Sequence, residues 1–336
     1  MEELADELAD AATRIDNLDD GERAMRAAFD MSYRRLGDEP ARLFRLLVLA
    51  PGPEAGTEVL TALSGSPPAP RPFDVLVRAH LMEPGSSRGR WRMHDLVRAY
   101  GVAKTREDAA LVTDGNAARA RLLGWYQDHV TDSHPYLRPL ARRSRSGRFA
   151  DRQEALRWLD TEREGLVGAC QWATDPEYAA NGTRFALSLC HYLSWRRHFD
   201  DASVVYRHAV KGASMLGDRR LEGMAYDNLG TALRYLRRID EAIATHQRAL
   251  ELFHAAGAVR EEGTARYSLG ITLQSAGRHR EAAECHDRAQ ALFRDVFFDP
   301  ERQARLLGLR ATALLALGDT EGAVRPGHPP ATRPGY

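Results

Sequence analysis

A gap-free internal repeat at a spacing of 40 residues constrains this chain more than any other feature. Leu229-Gly230 recurs as Leu269-Gly270, Glu241-Ala242 as Glu281-Ala282, and His246 as His286. Ala249 recurs as Ala289, and Leu252-Phe253 as Leu292-Phe293. One period earlier, Leu189-Cys190, Asp201-Ala202, Tyr206 and Ala209 fall in register; one period later, Leu309 and Glu321-Gly322 do. A repeat of this length is one supersecondary unit that cannot bury its apolar face alone, so neighbouring units must stack.

The small residues indicate how they stack. Gly230 and Gly270 let a neighbouring backbone approach, and Ala242 and Ala249, with Ala282, do the same from a second helix. Gly257 and Gly277 stand where helices should stop. Each unit therefore reads as two antiparallel helices, with Gly230 and Gly270 facing Ala242 and Ala282. The spacing from Leu229 through Gly230 and Ala242 to Ala249 resembles the tetratricopeptide repeat, whose usual period is ~34. The expectation is a longer variant over residues 177–324, its last unit truncated. Residues 325–336 hold four prolines and are expected to form a disordered tail.

A length of 336 residues fits about two domains, and 43% apolar with 28% charged residues fits a folded chain. Lys+Arg (47) equals Asp+Glu (47), so there is no overall bias towards nucleic acid or membrane. Apolar residues never run 18 together, and the chain opens on acidic Met1-Glu2-Glu3-Leu4. No transmembrane span and no signal peptide are expected, and the localisation implied is cytoplasmic. Cys170, Cys190 and Cys285 show no CxxC spacing and read as reduced thiols.

All the basic residues but Lys104 and Lys211 are arginine. A P-loop needs a GKS or GKT lysine to reach the β- and γ-phosphates. Lys211 precedes Gly212, and Lys104-Thr105 has Arg98 and Ala103 where the loop needs glycines. The chain is expected to be no enzyme and no self-sufficient ATPase, with no cofactor of its own.

The first third shows helical apolar spacing over 22–36, 40–49, 54–63 and 73–81, then a short hairpin around 81–93 and a helix from His94. Short helices closed by a hairpin make a winged helix over 22–104. Two helical stretches, 108–134 and 154–173, form a connector over 105–176, interrupted by an arginine-rich, solvated linker at 138–148. The fold class expected is all-α: a winged-helix domain with a small β-hairpin wing, connector helices, and a tetratricopeptide-repeat α-solenoid.

The strings SYRRL (32–36), ARLFRLLVLAPGP (41–53), AHLM (79–82) and WRMHDLVRAY (91–100) carry a family resemblance. Together they resemble the winged-helix segment of actinobacterial NB-ARC proteins, which are STAND-class signalling ATPases. EALRWLDTEREGLVGACQWA (154–173) resembles the connector to tetratricopeptide repeats in the AfsR-like regulators of that class, the Streptomyces antibiotic regulatory protein type. The resemblance spans roughly 1–323. It implies a nucleotide-binding domain with P-loop and Walker B upstream, often with a DNA-binding domain before it. Residues 4–20 then read as the last helix of a preceding subdomain (1–21), and the chain as the sensor half of a larger switch.

Met93-His94-Asp95 matches the MHD motif of this family. The resemblance implies that His94 is a latch meeting the β-phosphate of ADP, with ADP or ATP held only alongside a P-loop domain. The residues themselves also allow His94 simply to cap its helix and Asp95 to favour the first turn. A rival reading has the chain complete an ADP-binding switch in trans through His94. The candidate recognition helix 71–80 offers only Arg71, Arg78 and His80 beside Asp74 and apolar residues, so DNA binding is not expected. Cys190-His191 and Cys285-His286 point about 100° apart on a helix and cannot chelate a metal.

The tetratricopeptide pattern implies a concave face with Asp227, Thr231, Arg234, Tyr235, Tyr267, Ile271 and Gln274, joined by His191 and Trp195 from the first unit. A mixed polar and aromatic strip suits an extended peptide or partner surface. The function implied is protein–protein recognition within a signalling or transcriptional regulator.

Overall fold

The computed structural model describes residues 20–107, 109–137, 147–296 and 300–324. The expectations for 4–19, for 325–336 and for nearly all of the arginine-rich linker lie outside the described residues. Contacts divide the chain into two compact units, Met1–Ala169 and Cys170–Tyr336.

In the first unit, α1 (Asp20–Arg34) and α2 (Asp38–Leu47) precede a short strand β1 (Glu54–Gly56) and α3 (Thr57–Ser64). Then follow α4 (Pro70–Arg78), β2 (Glu83–Pro84), β3 (Arg90–Arg92) and α5 (Asp95–Lys104). Helix α2 buries Ala41, Leu43, Phe44, Leu46 and Leu47, the helical spacing that writes one apolar face. Proline opens α4, where its missing N–H costs nothing, and Pro72, Phe73 and Leu76 are buried.

The wing is a three-stranded antiparallel sheet in the order β1-β3-β2. The expected hairpin is present, but residues 54–56 are a strand rather than the start of a helix. Gly56 is extended at φ −77°, ψ 161° and caps α3, and Glu54, Ala55 and Gly56 pair with Arg92, Trp91 and Arg90. The Trp91 indole stacks on Phe73 at 4.9 Å, fixing the wing to α4.

Arginines tie this unit together. Arg98 is largely buried and donates to the carbonyls of Ala50 (2.6 Å) and Gly52 (3.0 Å), satisfying a turn that leaves α2. Arg90 donates to Glu54 (3.3 Å) and to Glu162 (2.6 Å), which stands on the later helix α7 (Arg152–Ala169). Between α5 and α7 runs α6 (Ala109–Leu137). Arg148, expected in a solvated linker, instead donates to Asp132 at 2.8 Å and lies 3.1 Å from His129.

The second unit opens with a 3-10 turn (Cys170–Thr174), α8 (Ala179–Ser188) and α9 (Cys190–Arg196). Paired helices follow: α10 (Phe199–Met215), α11 (Arg219–Tyr235), α12 (Ile239–Ala255), α13 (Val259–Ser275), α14 (His279–Val296), α15 (Pro300–Ala316) and α16 (Thr320–Val324). This is the stacked helix-pair solenoid that the repeat implies. Leu269, Leu273, Ala282 and Ala283 join Ile243 and Ala313 in one core cluster, so neighbouring units share their interior.

The turn inside each unit repeats atom for atom. Residues 197, 237, 277 and 318 all have positive φ (58°, 64°, 74° and 78°), and each N–H donates to the carbonyl three residues before it. The last of these follows by 41 residues, not 40. Ala323 N–H bonds Asp319 as Ala282 N–H bonds Arg278, so Gly322-Ala323, not Glu321-Gly322, answers Glu281-Ala282. Leu309 is likewise one residue out of register with Leu269.

A second correction concerns the glycines. The side chains nearest to Gly230 and Gly270 are the imidazoles of His246 and His286 rather than the expected Ala242 and Ala282. Both histidines are buried, and the absence of a Cβ makes room for their rings.

Candidate functional site

Met93 is buried at the end of the sheet, while His94 and Asp95 are exposed at the start of α5. His94 is the N-cap residue, and its Nδ1 accepts the Leu96 N–H at 3.3 Å. Its Nε2 has no partner among the described residues. A helix N-terminus favours a negative group, so this edge of His94 is chemically suited to a phosphate oxygen. Lys104 stands at the other end of the same helix. Its ammonium pairs with Asp30 (3.0 Å) and Glu107 (2.7 Å) and lies over the rings of Tyr33 and Tyr100. This lysine closes the contact between α1 and α5, at the helix end that repels anions.

In the repeat unit the predicted strip separates into two groups. Asp227 faces inward: Oδ1 lies 3.0 Å from His246 Nδ1, and Oδ2 accepts from Ser268 Oγ at 3.4 Å. It links α11, α12 and α13. Gln274 donates to the Leu309 carbonyl at 2.9 Å, joining α13 to α15. Tyr267 packs on the cluster of Ala289, Phe293 and Leu306. Thr231, Ile271 and His191 are half-buried, and Trp195 is exposed.

Arg234 and Tyr235 form the other group. The Tyr235 ring is 43% exposed and stacks on Phe199 with centroids 4.1 Å apart and planes 6° from parallel. The Arg234 guanidinium lies 4.1 Å from the Tyr235 centroid, and Arg197 lies 6.0 Å from both rings. The structure thus brings Arg234 and Tyr235 together with two residues that sequence reasoning missed, Arg197 and Phe199. Arg197 stands in the positive-φ turn where later units carry Arg237, Gly277 and Gly318, so the repeat register places it beside the end of its unit's first helix but does not single it out.

Comparison with known proteins gives a relationship over part of the chain. The regulatory protein AfsR of Streptomyces griseus is 31% identical over 225 residues, which are 63% of this chain and 23% of that protein. The regulatory protein AfsR of Streptomyces coelicolor is 34% identical over 180 residues, 50% of this chain and 18% of that protein. The chain therefore spans less than a quarter of the length of these curated relatives. No protein-family model matches it. Among solved structures, BtubC (BKLC) from P. vanneervenii aligns with TM-score 0.42 and 18% identity, covering 66% of this chain and 80% of that one. A STAND protein with a tetratricopeptide repeat sensor from Pyrococcus horikoshii aligns with TM-score 0.34 and 14% identity, covering 88% of this chain and 57% of that one. Over the matched stretch, the chain is homologous to part of the AfsR regulators.

Proposed function

We propose that this chain is the sensor half of an NB-ARC-type signalling or transcriptional regulator, and that its repeats recognise a protein or peptide. The observation that carries the reading is the repeat array with its outward Arg234–Tyr235 pair, held on a rigid solenoid and left out of the core. Homology to the AfsR regulators supplies the regulatory context. In this reading the chain works by binding and carries no P-loop of its own: neither of its lysines sits in a P-loop sequence, and Lys104 is committed to Asp30 and Glu107. No described helix is long and apolar enough to cross a membrane; a cytoplasmic site of action belongs to the regulator reading, which the AfsR homology supports. Replacing Arg234 or Tyr235 with alanine should leave the thermal melt nearly unchanged and weaken partner capture. Unchanged capture by both variants would remove the support for this surface.

A second reading rests on the exposed His94 at the start of α5. In it, His94 serves as the ADP latch once a P-loop domain is present, in the same polypeptide or in trans. ADP titrated calorimetrically onto the chain alone should give no micromolar binding. With a separately expressed AfsR-type P-loop domain added, binding should appear and be lost in His94→Ala.

A further inference from the structure

We infer that the Arg197–Phe199–Tyr235–Arg234 cluster is a docking site for an acidic peptide segment, one carrying closely spaced carboxylates. The inference rests on the partner-recognition reading above and names the chemistry of the partner. Arg197 caps the C-terminus of α9, Phe199 opens α10, and Arg234 and Tyr235 close α11, so three helix ends meet at one point. The Phe199 and Tyr235 rings stack face to face, the Arg234 guanidinium covers the other face of Tyr235 at 4.1 Å from its centroid, and Arg197 lies 6.0 Å from both ring centroids, beside the stack. A guanidinium held against a ring loses little further freedom on binding, and its N–H edge remains available for bidentate contact with a carboxylate.

Neither Arg197 nor Arg234 has a carboxylate partner among the described residues, whereas several arginines nearby do. Arg238 pairs with Glu241, Arg278 with Glu281 and Arg220 with Glu261. The cluster therefore holds two guanidiniums that no described carboxylate engages, and Arg237 beside it is also without one. That pattern suits a short acidic segment. A nucleic acid would need a continuous basic track to follow its phosphates, and the chain as a whole has no net charge.

Arg197 also holds a backbone conformation that disfavours it. Its φ of 58° lies in the left-handed region, at the turn position held by Arg237 in the next unit and by Gly277 and Gly318 after it. A side chain there costs stability relative to glycine. In an extended peptide, residues two apart put their side chains on one face about 6.6 Å from each other. A Glu-x-Glu or Asp-x-Glu segment laid along the edge of the stack would offer one carboxylate to each arginine.

The test selects binders to the full chain from a random linear peptide library. The strongest binder is then measured by fluorescence anisotropy against the parent, Arg197→Gln, Arg234→Gln, and Arg238→Gln as a surface control. Glutamine keeps part of the stem packed on the ring, and a circular-dichroism melt verifies folding. The expected result is enrichment of acidic sequences, with about tenfold weaker binding for each of the first two variants and little change for the third. Enrichment of apolar or basic peptides that lose affinity in Tyr235→Ala would overturn the acidic assignment and leave partner recognition standing. No enrichment would overturn both. Binding of a DNA oligonucleotide, in place of any acidic peptide, through the same two arginines would also overturn the inference.

Discussion

Gly270 and His286 are built against each other: a Cβ on residue 270 would stand 2.5 Å from the imidazole Cε1. Gly230 and His246 repeat the arrangement at 2.7 Å. Glycine inside a helix ordinarily costs about 0.5–1 kcal/mol relative to alanine, so adding the methyl should help. Here it meets a buried ring. Gly270→Ala should instead cost about 1–3 kcal/mol, as overpacking does in a filled core. At Gly308 in α15 an added methyl would have nothing within 4 Å, and Gly308→Ala should be neutral or stabilising. Urea melts of the two variants decide the matter. If Gly270→Ala gains as much as Gly308→Ala, the histidine packing described above is wrong.

His286 should make the repeats acid-sensitive. Both its ring nitrogens are buried without a hydrogen-bond partner, its nearest ring neighbour is Tyr267 at 6.2 Å, and burial lowers its pKa to about 4. In the unfolded chain the value is about 6.5. A pKa depressed on folding means that the neutral ring's contribution is complete above about pH 6.5 and is lost as pH falls towards 4, by roughly 3 kcal/mol at most. Denaturant midpoints measured across that window should fall less steeply in His286→Leu than in the parent. Identical pH profiles would show that another group controls acid unfolding.

The repeat was legible because close packing of helices writes small residues at fixed intervals. Its finer geometry was not. Ala242 and Ala282 looked like the partners of Gly230 and Gly270, since small residues often face each other, yet the rings that fill the space come from His246 and His286. The extra residue before the last unit was hidden because Leu309 and Glu321 matched the period of 40 by coincidence. Strand β1 was hidden too: three residues that pair only with distant Arg90–Arg92 carry no local signature. The Phe199–Tyr235 stack joins helix ends 36 residues apart in sequence, a contact that no periodicity within one helix reveals. Asp227 and Gln274 fell on the expected face, but tertiary hydrogen bonds use them to join neighbouring helices.

Arg237 offers a gain in stability. It holds φ 64° in the turn between α11 and α12, equivalent to Gly277 at 74°. Its side chain is exposed and makes no ion pair among the described residues. Left-handed backbone costs an L-residue about 1–2 kcal/mol, part of which is returned by the greater unfolded-state entropy of glycine. Arg237→Gly should therefore stabilise by about 1 kcal/mol. The same change at Arg197 should also stabilise the fold while removing a guanidinium from the peptide site. A lower denaturation midpoint for Arg237→Gly would contradict the turn geometry.

The buried pair between Arg90 and Glu162 should be the most fragile polar contact of the first unit. Arg90 Nη1 lies 2.6 Å from Glu162, whose side chain is only 8% exposed, and burial raises the Glu162 pKa despite the arginine beside it. Removing one partner leaves an uncompensated buried charge, which typically costs 3–5 kcal/mol. Arg90→Ala should lose about 3 kcal/mol, since it also strips Glu54 of its guanidinium contact. Glu162→Gln should lose less, because the amide keeps the shape and can still accept from Arg90. Replacing both Arg90 and Glu162 with leucine should recover much of the loss, for apolar residues of similar volume can stand in for a buried ion pair. A double-mutant cycle of Arg90→Leu, Glu162→Leu and the double variant, followed by thermal melts, reads this directly. Additive losses would mean that the two side chains do not interact, and that the wing is held to α7 by other contacts.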